Sequence, residues 1–217
     1  MSDISTLPHD WTVLLIGGVS GAGKTVVAGQ LGLEFGVAWL QVDDLRLALQ
    51  HSGAILPDAG DTAALWLFWD TPGVWQRSPE QLCDGLIAGG KAMSAAVEIV
   101  VANHVDTAAL AVIEGDNIIP ALVARPMLRA DVRDGRVPAV FLVEPDERAV
   151  PASILSRGRG LTGRTAAELH TEARTKWLYG QWLTREAHVY GLPVLPPQPW
   201  ATLPTRIIEA VAGKAHY

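Results

Sequence analysis

Gly18, Gly23, Lys24 and Thr25 fall in the pattern G-x-x-x-x-G-K-[ST] within the stretch VLLIGGVSGAGKT, and that spacing is suited to holding phosphate. A loop wrapped around an anion must turn its N–H groups inward. A Cβ at Gly18, Gly21 or Gly23 obstructs either that curl or the close approach of oxygen. Lys24 then reaches the β- and γ-phosphates of a nucleotide, and the Thr25 hydroxyl is placed to bind Mg²⁺. Nucleotide contacts are expected from Gly18, Ser20, Gly21, Ala22, Gly23, Lys24, Thr25 and Val26. The helix after the loop, over 24–34, turns its positive N-terminal end on the same phosphates.

Two acidic groups follow at positions where such a site needs them. Asp43 and Asp44 come at the end of the apolar run VAWLQV, with Arg46 close behind. A carboxylate there can accept the proton of an attacking hydroxyl or orient that hydroxyl toward a γ-phosphate. The competing use is to cap a helix over 45–50, so one aspartate is expected as base and the other as cap. Asp43 is the better base because it ends the strand. Arg46 either holds an anionic part of the acceptor or lies solvated on the surface. Further on, ALAVIEGDN ends in Glu114 and Asp116. A carboxylate closing a buried strand is costly unless something positive faces it, so Glu114 is the expected Mg²⁺ anchor across from Thr25. Asp116 contacts the metal or the acceptor, or else caps a helix.

Cations are expected from the other side. SRGRGLTGRT spaces Arg157, Arg159 and Arg164 with glycines, which suits a lid closing over the transferring phosphoryl group, against the alternative of an exposed linker. Arg157 and Arg164 rank first. The long amphipathic helix over 166–190 adds Arg174, Lys176 and Arg185, with no ground for choosing among them.

These groups need a parallel sheet to bring them together. Apolar runs beginning at Val13, at 37–42, at 108–113, at 138–144 and at 192–195 read as strands, and functional groups of such sheets gather at the carboxyl ends. The segment 79–103 reads as one or two helices and 203–212 as a closing helix. Residues 52–103, with Trp66, Phe68, Trp69 and Trp75, form the expected helical acceptor-binding insertion. For most of these aromatic residues an ordinary helix–helix core is the stronger reading. The loop 196–200 can pack a purine against Trp200.

At 217 residues one domain over 1–217 suffices, with 157–165 as its lid. The formal net charge of −6, without a block of Lys or Arg, argues against nucleic acid and anionic membranes as partners. Cys83 is the only cysteine, so no internal disulfide forms. The N-terminus lacks a signal-peptide pattern and no run is expected to reach membrane-span length, which points to a soluble cytoplasmic protein, monomer or homodimer.

Taken together, GGVSGAGKT, VDDLR, VIEGD and RGRGLTGR resemble the P-loop kinases of the nucleoside-monophosphate-kinase-like group over most of the chain. VIEGDNIIP is similar to the corresponding segment of 2-phosphoglycerate kinases. D-x-L-R at Asp43 to Arg46 is similar to the acceptor motif of zeta-toxin and chloramphenicol phosphotransferase-like kinases. The resemblance implies a three-layer α/β/α fold with a five-stranded parallel sheet, ATP and Mg²⁺ as cofactors, and γ-phosphoryl transfer to a hydroxyl or phosphate of a small-molecule acceptor. It also implies Lys24 on phosphate, Thr25 and Glu114 at the metal, Asp43 as base and lid arginines on the transition state. EGDNI departs from adenylate kinases, which carry an arginine after D-G-F-P. A nucleotide-binding regulatory module with little turnover is the alternative, but it needs neither Asp-Asp-x-Arg nor the arginine loop.

Overall fold

Short apolar strands alternate with helices along the chain: β1 (Val13–Gly18), α1 (Lys24–Phe35), β2 (Ala38–Gln41), α2 (Val42–His51), α3 (Ala59–Trp66) and α4 (Pro79–Asp106). Then come β3 (Ala111–Glu114), α5 (Arg129–Arg133), β4 (Ala139–Leu142), α6 (Val150–Ser156), α7 (Ala166–Val189), β5 (Val194–Leu195) and α8 (Leu203–Ala212). The computed structural model describes residues 10–56, 59–68, 71–156 and 163–212.

All strand pairs are parallel, in the order β2-β3-β1-β4-β5. Residues of β1 alternate between two cores. Val13 and Leu15 join the cluster of Met93, Val97 and Tyr179, whereas Leu14 and Ile16 join that of Val27, Leu31 and Ile207. A strand buried on both faces requires a helical layer on each side, here α4 and α7 on one and α1 and α8 on the other. This is a three-layer α/β/α architecture around a five-stranded parallel sheet. The chain order reverses direction at β1, so the crevice beyond its carboxyl end lies between β3 and β4.

The second strand is shorter than its sequence suggests. It ends at Gln41, and Val42 already belongs to α2, so Asp43 and Asp44 lie in the first helical turn rather than at a strand end or N-cap. Burial of Val42 explains the early start. Its side chain packs so close to Gly115 that a Cβ there would sit 2.6 Å from the valine Cβ.

α4 runs unbroken through Gly89 and Gly90, from a capping box of Ser78 with Gln81. Its length and composition do reach those of a membrane span, contrary to expectation. Half of that apolar stretch is buried, and the helix packs against α3, α7 and β1. Glu98, buried in its middle, receives Arg125 Nε at 2.5 Å and the Met127 amide at 2.9 Å, tying α4 to the chain after β3.

Candidate active site

The loop from Val19 to Gly23 joins β1 to α1, and no side chain caps that helix or places an acid in its first turn. Its N-terminal amides and dipole are thereby left to an anion. Lys24, 5% exposed, donates to the Val19 carbonyl at 3.0 Å and pairs with Asp116. A cavity of about 780 Å³ opens here, lined by Ser20, Gly21, Gly23, Lys24, Thr25 and Val26, together with Asp43, Asp44, Glu114, Asp116 and Trp200. Gly18 is buried in the last position of β1, and its lack of a side chain serves the sheet: a Cβ would lie 2.3 Å from the Leu142 carbonyl. Ala22 faces a separate cavity of about 390 Å³ behind the loop. Trp200 stands against Gly23, where a Cβ would fall 2.1 Å from the indole, and its ring borders both cavities.

Thr25 Oγ1 donates to Glu114 Oε1 at 2.8 Å. Parallel pairing aligns Glu114 with Ile16 of β1 and Gln41 of β2, so the carboxylate closes the sheet beside the loop. It is 3% exposed, and burial pushes its pKa above the ordinary 4.5; the Lys24 charge and the Thr25 hydrogen bond oppose that rise, while Asp116 and Asp43 add to it. A hydroxyl and a buried carboxylate are hard oxygen donors, a set that fits Mg²⁺. Among the described residues no cluster of three or more His, Cys, Asp or Glu could hold a metal. An ion held at this corner would need further ligands from outside the protein.

A third cavity, of about 280 Å³, begins where the first ends. Ser20, Asp43 and Asp116 line both. Its polar wall adds Arg46, Glu172, Lys176 and Asn117, and its apolar wall is Leu65, Phe68, Trp75 and Leu86. Arg46 reaches Asp43 at 3.4 Å and Gln50 Oε1 at 3.1 Å, so it is partnered rather than solvated. The Tyr179 hydroxyl donates to the Asp116 carbonyl at 2.9 Å, anchoring the loop after β3 to α7. Burial, with the neighbouring Asp116 and Cys83, pushes its pKa up and keeps it a donor.

The structure brings together most residues singled out from sequence: the loop, Asp43, Asp44, Arg46, Glu114 and Asp116. Arg164 lines neither cavity and stands behind the acceptor wall. It donates to Glu172 at 3.2 Å and to the Glu168 carbonyl at 3.1 Å, with its guanidinium 4.5 Å over the Trp75 ring. Arg157, Arg159 and Trp69 lie outside the described residues. Glu172, Thr175 and Tyr179 were not foreseen as lining residues, although their i, i+3, i+7 spacing on one helix face is a readable signal.

No family model and no curated protein matches the chain. Among solved structures it is similar to a shikimate kinase from Acinetobacter baumannii in complex with shikimate, at 19% identity over 99% of this chain and 98% of that one, with a TM-score of 0.48. A gluconokinase from Sinorhizobium meliloti 1021 shares 17% identity over 96% and 95%, with a TM-score of 0.49. A sugar kinase from Janibacter sp. HTCC2649 shares 18% over 94% and 96%, with a TM-score of 0.44.

Proposed function

We propose that this protein is an ATP-dependent small-molecule kinase, transferring the γ-phosphoryl group to an acceptor hydroxyl. One observation carries this reading: a cavity at the phosphate loop and a smaller cavity beside it share Ser20, Asp43 and Asp116 as a common border. Donor and acceptor bound on either side of that border would meet beside Lys24, which pairs with Asp116.

Thr25 and Glu114 would hold a magnesium ion, which would supply positive charge to offset that of the triphosphate. The loop amides and Lys24 hold the triphosphate. Asp43 receives the proton of the acceptor hydroxyl as its oxygen bonds to the γ-phosphorus. The bond from that phosphorus to the β,γ-bridging oxygen breaks, and its electron pair leaves with ADP. The products are ADP, the phosphorylated acceptor and a proton. Phe68, Trp75, Leu65 and Leu86 exclude water from the acceptor side, which favours transfer over hydrolysis.

ADP release from Mg-ATP, measured with and without a panel of hydroxylated metabolites, tests the reading. Acceptor-dependent turnover that Asp43→Asn abolishes is expected. Turnover indifferent to every acceptor would favour a regulatory nucleotide-binding module instead.

A further inference from the structure

Three cations on α7 compete for a role at the phosphate, and their surroundings separate them. Arg174 donates to Glu147 at 2.7 Å and stacks 4.5 Å over Trp177, on the α6 side of the helix. Arg185 is exposed. Lys176 is 6% exposed and lines the cavity behind the loop as well as the acceptor cavity, in both cases together with Val19 and Ser20. Thr25 and Glu114, by contrast, line the large nucleotide cavity and neither of these two. Lys176 thus flanks the loop on the side away from the metal corner.

The helix is held there from two directions. Gly180 follows Lys176 by one turn, on the same face. A Cβ at Gly180 would stand 2.9 Å from Val143 Cγ1 and 3.2 Å from Val19 Cγ2, so its absence lets α7 descend onto the chain just beyond β1 and β4. Tyr179 adds the bond to the Asp116 carbonyl. Both contacts seat α7 so that Lys176 lines the same two cavities as Ser20.

Its present partner is built to release it. Lys176 Nζ pairs with Glu172 at 2.6 Å, and Glu172 also receives Arg164 at 3.2 Å. Breaking a buried ion pair is costly because one charge is stranded. Here Arg164, itself held by the Glu168 carbonyl and the Trp75 face, remains on Glu172 when the lysine turns away. An arriving phosphoryl oxygen supplies the lysine with a new counter-charge.

We propose that Lys176 is a catalytic residue that binds the transferring γ-phosphoryl group from the side opposite Thr25 and Glu114, exchanging Glu172 for a phosphoryl oxygen as the triphosphate enters. The role deepens the kinase reading and rests on it. Arg164 then serves as the counter-ion that stays behind.

Calorimetric titration of the full chain with Mg-ADP and with the imido analogue Mg-AMP-PNP tests the assignment. Lys176→Met should weaken AMP-PNP roughly tenfold or more while leaving ADP within about twofold, because one charge-assisted contact to the third phosphate is lost. Lys176→Arg should restore most of the difference. An equal loss for both nucleotides, or no loss, overturns the assignment and leaves the kinase reading standing. A wild-type protein that binds neither nucleotide overturns both. If Lys176→Met does not fold, Glu172→Gln decides: with the lysine freed, preference for AMP-PNP over ADP should rise, and an unchanged preference overturns the proposal.

Discussion

On the proposed nucleotide side, the lining runs through consecutive residues: Ser20 to Thr25 come from a single strand–loop–helix unit. On the acceptor side, the groups come from α2, α3, α4, α7 and the loop after β3, and they meet as side chains already bonded to one another. The first wall is rigid because a backbone turn allows little else. The second is an ion-pair network in which Asp43 holds Arg46, Glu172 holds both Arg164 and Lys176, and Asp116 holds Lys24. A preformed cradle suits a ligand common to many enzymes, whereas a paired network can change partners when substrate arrives. The difference predicts that damage to the loop removes binding itself, while damage across from it alters turnover and selectivity.

The largest break should come from Lys24→Ala, which is expected to lower turnover by on the order of a thousandfold and weaken triphosphate binding with the fold intact. Unchanged ADP release from this variant would remove the loop as the active site. Asp43→Asn, on the other wall, should cost about a hundredfold in kcat with nucleotide affinity preserved, as measured by single-turnover kinetics beside calorimetry. A parallel loss of nucleotide binding would erase the contrast between the walls.

Glu114→Gln should raise the Mg²⁺ concentration for half-maximal turnover about tenfold. The raised pKa of Glu114 gives a pH signature as well. In the protein without ligands, folding holds the proton more tightly than the unfolded chain does. That stabilisation is complete below pH 4.5 and is lost as pH rises through the shifted value, so the Gln variant should show a flatter stability profile above pH 4.5. Chemical denaturation across that range reads it. Gly180→Ala pushes α7 from the loop and should cost about 1–3 kcal/mol in stability, with a larger effect on acceptor KM than on nucleotide KM. The smallest effect concerns Cys83, whose buried thiol is pushed up to about 11 chiefly by desolvation. Iodoacetamide at pH 8 should modify it slowly until the protein unfolds. Rapid labelling of the folded protein would show that the acceptor side is loosely packed.

How far these features can be read without coordinates differs from residue to residue. The bounds of α8 and the start of α1 follow directly from local pattern, since helix periodicity and the glycine-rich turn involve near neighbours only. The onset of α2 does not, because it depends on Val42 meeting Gly115, far along the chain and across a sheet edge. The glycine spacing around Arg164 suggests a lid cation and says nothing of its neighbours Trp75 and Glu172. Of the α7 cations, burial and a place on the walls of both cavities beside the loop separate Lys176.

The turn between β1 and α1, which the kinase reading makes a phosphate cradle, was legible because a run of eight positions dictates it. Everything that faces it is joined across long separations: Thr25 to Glu114 over 89 residues, Lys24 to Asp116 over 92, Tyr179 to Asp116 over 63. Such contacts arise from the order of strands in the sheet and the depth to which α7 packs. They follow from the summed burial of the whole core, which no short stretch of the chain encodes.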